Sequence, residues 1–192
     1  MHRLIICLLM LFACPLHAMS VVDVVEIANF YCQECYRASQ FTTQIEEAVK
    51  LKKGTYDFVP VFLNYSNAWS SRVYFSIPDE LKNKASQAFF TAVNVNGITM
   101  KTPESACVVI HDAIANYSVN ECIKRATSTL PNEHLANAQT LLHHIYNKQD
   151  DVLLFPIFVI EKDNEIKATF SRREYEDVDV LVSEVVRYVN SL

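Results

Sequence analysis

The feature of this sequence that most constrains its fold is a pair of cysteines, Cys32 and Cys35, with two residues between them. An apolar run over residues 21–30 precedes the pair, and a stretch with helical periodicity over residues 38–50 follows it. This order predicts a buried β-strand that turns directly into an α-helix. Two thiols one helical turn apart can close a disulfide, so the motif favours dithiol–disulfide chemistry.

The predicted place of Cys32 at the first turn of a helix favours a reactive thiol. Its thiolate would face unpaired backbone N–H groups and the positive end of the helix dipole, which lowers the pKa of a thiol. Two other interpretations remain open, half of a zinc site and an inert structural disulfide. Zinc would need a second pair of ligands, and Cys107 and Cys122 lack the C-x-x-C spacing. We therefore expect no metal.

Glu26 is the unusual residue of the first predicted strand. A carboxylate inside a core strand is costly unless it is paired or protonated. A strand whose polar face reaches water would also accommodate this residue, so its pattern alone leaves both interpretations open.

The rest of the chain alternates between strand and helix patterns. A strand over residues 23–30 and a helix over 33–50 precede a strand over 56–63, in which Pro60 favours a sheet edge or a bulge because it donates no backbone hydrogen bond. The polar and aromatic residues 64–71 predict a loop.

A helical stretch separates this first half from the last strands. Residues 79–147 carry helix caps and helical apolar spacing, which predict about four helices. Strand patterns return at 152–160 and 166–170 as a predicted hairpin, and a closing helix is predicted over 175–192. The order strand, helix, strand, helical insert, hairpin, helix defines an α/β fold.

The first residues have the pattern of a secretory signal peptide. A basic start leads into an apolar run over residues 4–13, too short for a stable membrane span, and Ala18 offers a cleavage site. We predict a signal peptide over residues 1–18 and a mature domain over 19–192. A lipoprotein signal with Cys14 as the lipidated residue and a retained anchor are the alternatives.

Export would place the remaining cysteines in an oxidising compartment, where disulfides persist. Cys107 and Cys122 fall on two successive predicted helices. We expect a structural disulfide between them, with two buried free thiols or a second redox pair as alternatives.

Two segments together resemble the thioredoxin superfamily: FYCQECY at residues 30–36, after a strand, and FPIFV at residues 155–159, at a late strand. The helical stretch between the two halves, placed at about 66–148, is similar to the insert of the DsbA group of periplasmic thiol–disulfide oxidoreductases. The resemblance covers residues 22–192 and implies a thioredoxin fold with an inserted helical subdomain.

The resemblance also implies roles for single residues. Cys32 is similar to the nucleophilic cysteine of the family and Cys35 to the resolving one. Pro156 resembles the family's cis-proline, which with Phe155 would line the groove for the substrate backbone. Glu26 lies where the family often has a buried acid that handles protons for the resolving cysteine.

Further expectations concern partners and location. The resemblance implies an enzyme of the periplasm without a cofactor other than its redox-active disulfide. Exported proteins are the expected substrates, and a membrane redox partner is a further candidate. The net charge of −5 argues against a nucleic-acid partner. The alternative from another class is a non-catalytic chaperone or envelope-assembly protein that kept the fold.

Three departures from the family pattern bear on the chemistry. Gln33 and Glu34 stand between the cysteines instead of proline and histidine, and a nearby negative charge raises the pKa of a thiol, which predicts a weaker oxidant. Phe155 precedes the proline where the family usually has a small β-branched residue. Little chain precedes the first strand, so we expect the family's N-terminal strand to be missing. The direction of electron flow remains open.

Overall fold

The computed structural model describes residues 21–64, 68–146 and 154–192. The predicted signal peptide over residues 1–18, with Cys14, and the place where an N-terminal strand would begin lie outside the described residues.

The described chain forms a mixed sheet of four strands. The strands are β1 (Val22–Ala28), β2 (Tyr56–Pro60), β3 (Ile157–Lys162) and β4 (Glu165–Ser171). Their order in the sheet is β2-β1-β3-β4. Strand β1 pairs in parallel with β2 and antiparallel with β3, which pairs antiparallel with β4. Within the described residues β2 is an edge strand, where Pro60 is tolerated.

Eight α-helices are found in the described residues. They are α1 (Gln33–Ser39), α2 (Thr42–Leu51), α3 (Ala68–Ser76), α4 (Lys82–Asn94), α5 (Pro103–Ala113), α6 (Val119–Ala126), α7 (Leu130–Tyr146) and α8 (Val178–Ser191). Helices α1 and α2 connect β1 to β2, five helices lie between β2 and β3, and α8 follows β4. A 3-10 turn, Asp79–Leu81, precedes α4. None of them combines the length and apolar character needed to cross a membrane.

Two apolar cores cover the two faces of the sheet. Side chains of a strand alternate between faces, and β1 accordingly sends Ile27 into one core and Val22 and Val24 into the other. The first core joins the sheet to α3–α7. The second core lies between the sheet and the helices α2 and α8, with Ile45 and Leu181 fully buried.

Phe30, which follows β1, connects the sheet to the inserted helices. Its side chain is buried, and its ring centroid lies 5.0–6.1 Å from four other aromatic rings. We call this set the aromatic cluster, and its members are Phe30, Phe58, Tyr74, Phe89 and Phe90.

The structure differs from the predicted elements in two helices. The helix predicted over residues 33–50 is interrupted between α1 and α2, where the hydroxyls of Ser39 and Thr42 donate to the carbonyls of Tyr36 and Ser39 and compete with the helical pattern. Residues 68–71 belong to α3 and not to the predicted loop. Ser70 and Ser71 are buried there, so the polarity of this segment did not indicate exposure.

A disulfide ties two consecutive inserted helices, α5 and α6, together. It joins Cys107 of α5 to Cys122 of α6, with the two Cα atoms 5.8 Å apart. Both residues are fully buried in the first core.

Candidate active site

The cysteine pair lies at the start of α1, directly after the turn that ends β1. Cys32 is the N-cap residue, with extended φ and ψ of −97° and 118°, and its Sγ accepts a hydrogen bond from the backbone N–H of Cys35 at 3.2 Å. This is the geometry by which a capping side chain satisfies an unpaired donor of the first turn. Both thiols are free, with Cys32 half-buried and Cys35 buried, so the structure represents the dithiol state.

The surroundings of the two thiols move their pKa values apart. Hydrogen bonds from the Cys35 side chain and from the backbone of Cys35 and Glu34 lower the pKa of Cys32 to about 7, against the opposing effects of burial and the charge of Glu34. Burial, followed by the interaction with Cys32, raises the pKa of Cys35 well above its usual value. A thiolate near neutral pH therefore forms on the half-buried sulfur.

The segment before β3 faces this thiolate. The peptide bond between Phe155 and Pro156 is cis. The Sγ of Cys32 lies 3.8 Å from the carbonyl oxygen of Phe155, while the Phe155 side chain is buried in the first core. Pro156 was predicted inside a strand, but β3 begins one residue later at Ile157. A proline has no N–H to donate to the ladder, so the strand starts after it.

Glu26 is buried on β1, and the interpretation that its side chain reaches water is wrong. Its Oε2 accepts a hydrogen bond from the hydroxyl of Tyr56 on the neighbouring strand. No partner within the described residues reaches the buried Oε1. Burial is the main cause that raises the pKa of Glu26 to about 7, the hydrogen bond from Tyr56 lowers it, and the charge of Cys32 raises it further. The Glu26 charge in turn raises the pKa of Cys35, so the two groups are electrostatically linked.

Tyr56 connects this buried acid to a cavity. Its half-buried side chain is part of the lining of a 480 Å³ cavity between β2 and the helices α2 and α4. Thr42 also lines this cavity and contacts the Tyr56 hydroxyl. Tyr56 therefore contacts Glu26 and also lines the cavity.

The two residues between the cysteines have different surroundings. Gln33 is exposed at the first position of α1. Glu34 is held by two arginines: its Oε2 lies 2.8 Å from Nη1 of Arg172 and 3.3 Å from Nη1 of Arg37. The charge of Glu34 does act against the Cys32 thiolate, but the hydrogen bonds that lower the Cys32 pKa outweigh it.

The described residues contain no group of three or more histidine, cysteine, aspartate or glutamate side chains arranged to hold a metal ion. The cysteine pair therefore has no further ligands of this kind beside it in that part of the chain.

Comparison with known proteins was informative only at the level of three-dimensional structure. No protein-family model matches the chain, and no curated protein matches its sequence significantly. Solved structures do match. A variant of Pseudomonas aeruginosa DsbA superposes with a TM-score of 0.70 at 14% identity, over 88% of this chain and 86% of that one. The protein has a DsbA-like thioredoxin fold.

Two further structures agree with this assignment. The disulfide oxidoreductase DsbA from Proteus mirabilis has a TM-score of 0.64 at 15% identity, over 88% of this chain and 86% of its own. The oxidoreductase DsbA from Xylella fastidiosa has a TM-score of 0.63 at 16% identity, over 89% of this chain and 87% of its own. The prediction of a thioredoxin fold with an inserted helical subdomain is confirmed.

The DsbA-like fold brings together four residues that the sequence analysis singled out, Cys32, Cys35, Phe155 and Glu26, the last through its electrostatic link to the cysteines. Two residues around this site were missed. Tyr56 was part of a predicted strand. In the parallel register of β1 and β2 it lies beside Val24, two residues from Glu26, and its hydroxyl reaches the Glu26 carboxylate. Arg172, which the sequence did not single out, contacts Glu34.

Proposed function

We propose that this protein is a thiol–disulfide oxidoreductase that exchanges disulfides with exported proteins through Cys32 and Cys35. The observation that carries the proposal is the N-cap position of Cys32. There its half-buried Sγ accepts the N–H of a second, buried cysteine and its pKa falls to about 7. An inert structural pair would not need an accessible sulfur that ionises near neutral pH.

The exchange proceeds in two displacements. In the oxidising direction, a substrate thiolate attacks Sγ of Cys32, the bond to Cys35 breaks, and the Cys35 sulfur leaves with the electron pair and takes up a proton. A second substrate thiolate attacks the substrate sulfur of the mixed disulfide, and Cys32 leaves as a thiolate. The substrate loses two electrons and the cysteine pair gains them. The reducing direction is the reverse.

Three neighbouring residues would assist these steps. Glu26 donates the proton to Cys35 in the oxidising direction and accepts it in the other, since its pKa of about 7 suits both roles. Phe155 and Pro156 would bind the substrate backbone, because the Phe155 carbonyl lies close to the reacting sulfur. No cofactor other than the cysteine pair takes part.

Location and partners follow from the same proposal. A signal peptide over residues 1–18 would deliver a mature domain to the periplasm, with a lipid anchor at Cys14 as the alternative. Exported proteins are then the substrates, and a membrane protein would restore the redox state of the pair. The direction of electron flow depends on the reduction potential, for which about 30 mV corresponds to about 1.4 kcal/mol.

Trapping of the mixed disulfide tests the function. Oxidised wild-type protein is mixed with a reduced, unfolded secreted protein, and disulfide transfer is followed by alkylation of the remaining thiols. We expect transfer by the wild type. When the same secreted protein is supplied in its disulfide-bonded form, the Cys32 thiolate of Cys35→Ser should attack that disulfide and accumulate as a mixed disulfide. Cys32→Ser should give neither product. The proposal fails if the wild type exchanges disulfides in neither direction. A non-catalytic chaperone would suppress substrate aggregation equally well with Cys32→Ser.

A further inference from the structure

We propose that Arg172, through its ion pair with Glu34, keeps the negative charge of Glu34 from destabilising the thiolate of Cys32. Arg172 would then be a positioning residue for the active-site helix. The inference deepens the proposed function and rests on it, because it concerns how the chain tunes the cysteine pair that performs the exchange.

Arg172 is held in place before it meets Glu34. It directly follows β4, and its Nε donates a hydrogen bond to the carbonyl of Tyr175 at 3.1 Å. The turn is closed by Glu174, whose Oε2 accepts from both the backbone N–H and the hydroxyl of Ser171 at 2.9 and 2.7 Å. The Arg172 side chain is only 20% exposed. The guanidinium is therefore oriented by its own turn, and little rotamer freedom remains to be lost on pairing.

Arg37, the second arginine at Glu34, is shared with other acids. Its Nη2 lies 3.1 Å from Asp177 and 3.5 Å from Asp179, at the start of α8. Its distance to Glu34 is 3.3 Å, longer than the 2.8 Å from Arg172. Arg37 divides its charge among three carboxylates, so Arg172 is the principal counter-ion of Glu34.

The place of Glu34 makes this counter-ion matter for the chemistry. Glu34 belongs to the first turn of α1, directly before Cys35, whose backbone N–H donates to the sulfur of Cys32 at 3.2 Å. An unpaired carboxylate at this position would raise the pKa of the thiol, whereas a paired one contributes little. The pair is partly exposed, so its effect on folding stability is small. The residue pair thus acts on the thiolate and not on the fold.

A double-mutant cycle tests the inference. The pKa of Cys32 is measured from the ultraviolet absorbance of the thiolate in the wild type, Arg172→Gln, Glu34→Gln and the double variant. We expect Arg172→Gln to raise the pKa by about 0.5–1 unit, which is roughly a three- to tenfold loss of thiolate at acidic pH. In the Glu34→Gln background the same substitution should change the pKa by less than about 0.2 units.

Two further variants serve as controls. Arg187→Gln makes the same change of charge at an arginine that pairs with Glu184 on α8, and it should leave the Cys32 pKa unchanged. Arg172→Lys keeps the charge but not the planar fork, so we expect partial retention of the low pKa.

The outcomes separate the inference from the proposed function. An equal pKa shift with and without Glu34 would mean that Arg172 acts on the thiolate directly and would overturn the inference. The absence of any shift when Arg172→Gln is made in the protein that retains Glu34 would overturn it as well. The measurement needs no substrate. A wild type that fails to exchange disulfides while the cycle behaves as expected therefore contradicts the function alone.

Discussion

The buried carboxyl of Glu26 has a cost in stability that depends on pH. The folded protein holds its pKa near 7, above the ordinary value of 4.5, so the unfolded chain loses this proton at a lower pH than the folded one does. The unfolding free energy therefore falls as pH rises from about 4.5 to about 7, by about 3 kcal/mol, and does not change further above the folded pKa.

Glu26→Gln should abolish this fall. The variant has no proton to lose at residue 26. We therefore expect the change in its unfolding free energy between pH 4.5 and pH 8, measured in denaturant, to be smaller than that of the wild type by about 3 kcal/mol. Glu47→Gln, at an exposed carboxyl of α2, is the matched control and should keep the fall. An unchanged pH dependence in Glu26→Gln would contradict the raised pKa.

Removal of the Tyr56 hydroxyl should shift the pH dependence of the proposed exchange. The hydrogen bond from Tyr56 lowers the Glu26 pKa, so Tyr56→Phe raises it above about 7. Glu26 must be ionised to accept the proton of Cys35, and the rate at which Cys35 resolves a mixed disulfide should therefore reach its plateau at a higher pH. Rapid-quench measurement of this rate across pH tests the shift. Tyr74→Phe, at another tyrosine of the cavity lining, is the comparison variant, and equal profiles for the two would refute the role.

Some residues around the active site can be recognised from the local sequence, whereas others are recognised only through contacts with residues far away along the chain. Cys32 and Cys35 are predictable because their spacing is local, and Pro156 because a proline in an apolar run is conspicuous. Tyr56 is separated from Glu26 by 30 residues, and their contact depends on which strands become neighbours. The pairing of Arg172 with Glu34 likewise depends on how the β4–α8 turn approaches α1. A single sequence contains no record of such contacts.

At the scale of elements, boundaries were less predictable than order. The break between α1 and α2 arises from hydroxyls that bond to nearby carbonyls, a competition that apolar periodicity does not reveal. The start of helix α5 was easier to predict. Thr102 caps its first turn through reciprocal hydrogen bonds with Ser105, and Pro103 occupies the first position of the helix. Side chains that accept hydrogen bonds from the backbone N–H groups of the first turn mark a helix start in the sequence.

The disulfide between α5 and α6 should stabilise the inserted helices without affecting the active site. It closes a sequence separation of 15 residues, for which the chain-entropy relation gives about 3 kcal/mol. We expect Cys107→Ala/Cys122→Ala to lose about that much unfolding free energy in denaturant, while the pKa of Cys32 stays near 7. A large shift of that pKa would show that the insert and the active site are coupled.

At the scale of the whole molecule, the sheet is shared by two cores. The aromatic cluster couples it to the inserted helices on one face, and α2 and α8 cover the other. The order of elements was predictable from the sequence because each type of pattern persists over many residues. The packing of the inserted helices against the sheet was not predictable, because it is made by aromatic rings that are far apart along the chain, such as Phe30 and Phe89.

This shared sheet predicts that the insert and the rest of the domain unfold together. The chain has a single tryptophan, Trp69, which lies on α3 in the insert and reports on that part alone. Leu181 is fully buried on α8 in the opposite core. Leu181→Ala should lower the unfolding free energy by about 2–5 kcal/mol. If the two cores unfold cooperatively, the denaturant midpoint followed by Trp69 fluorescence should shift as far as the midpoint followed by far-ultraviolet circular dichroism. Phe30→Ala, on the other face, should likewise move both midpoints together. An insert that unfolds independently would leave the Trp69 transition of Leu181→Ala at the wild-type denaturant concentration while the dichroism transition shifts.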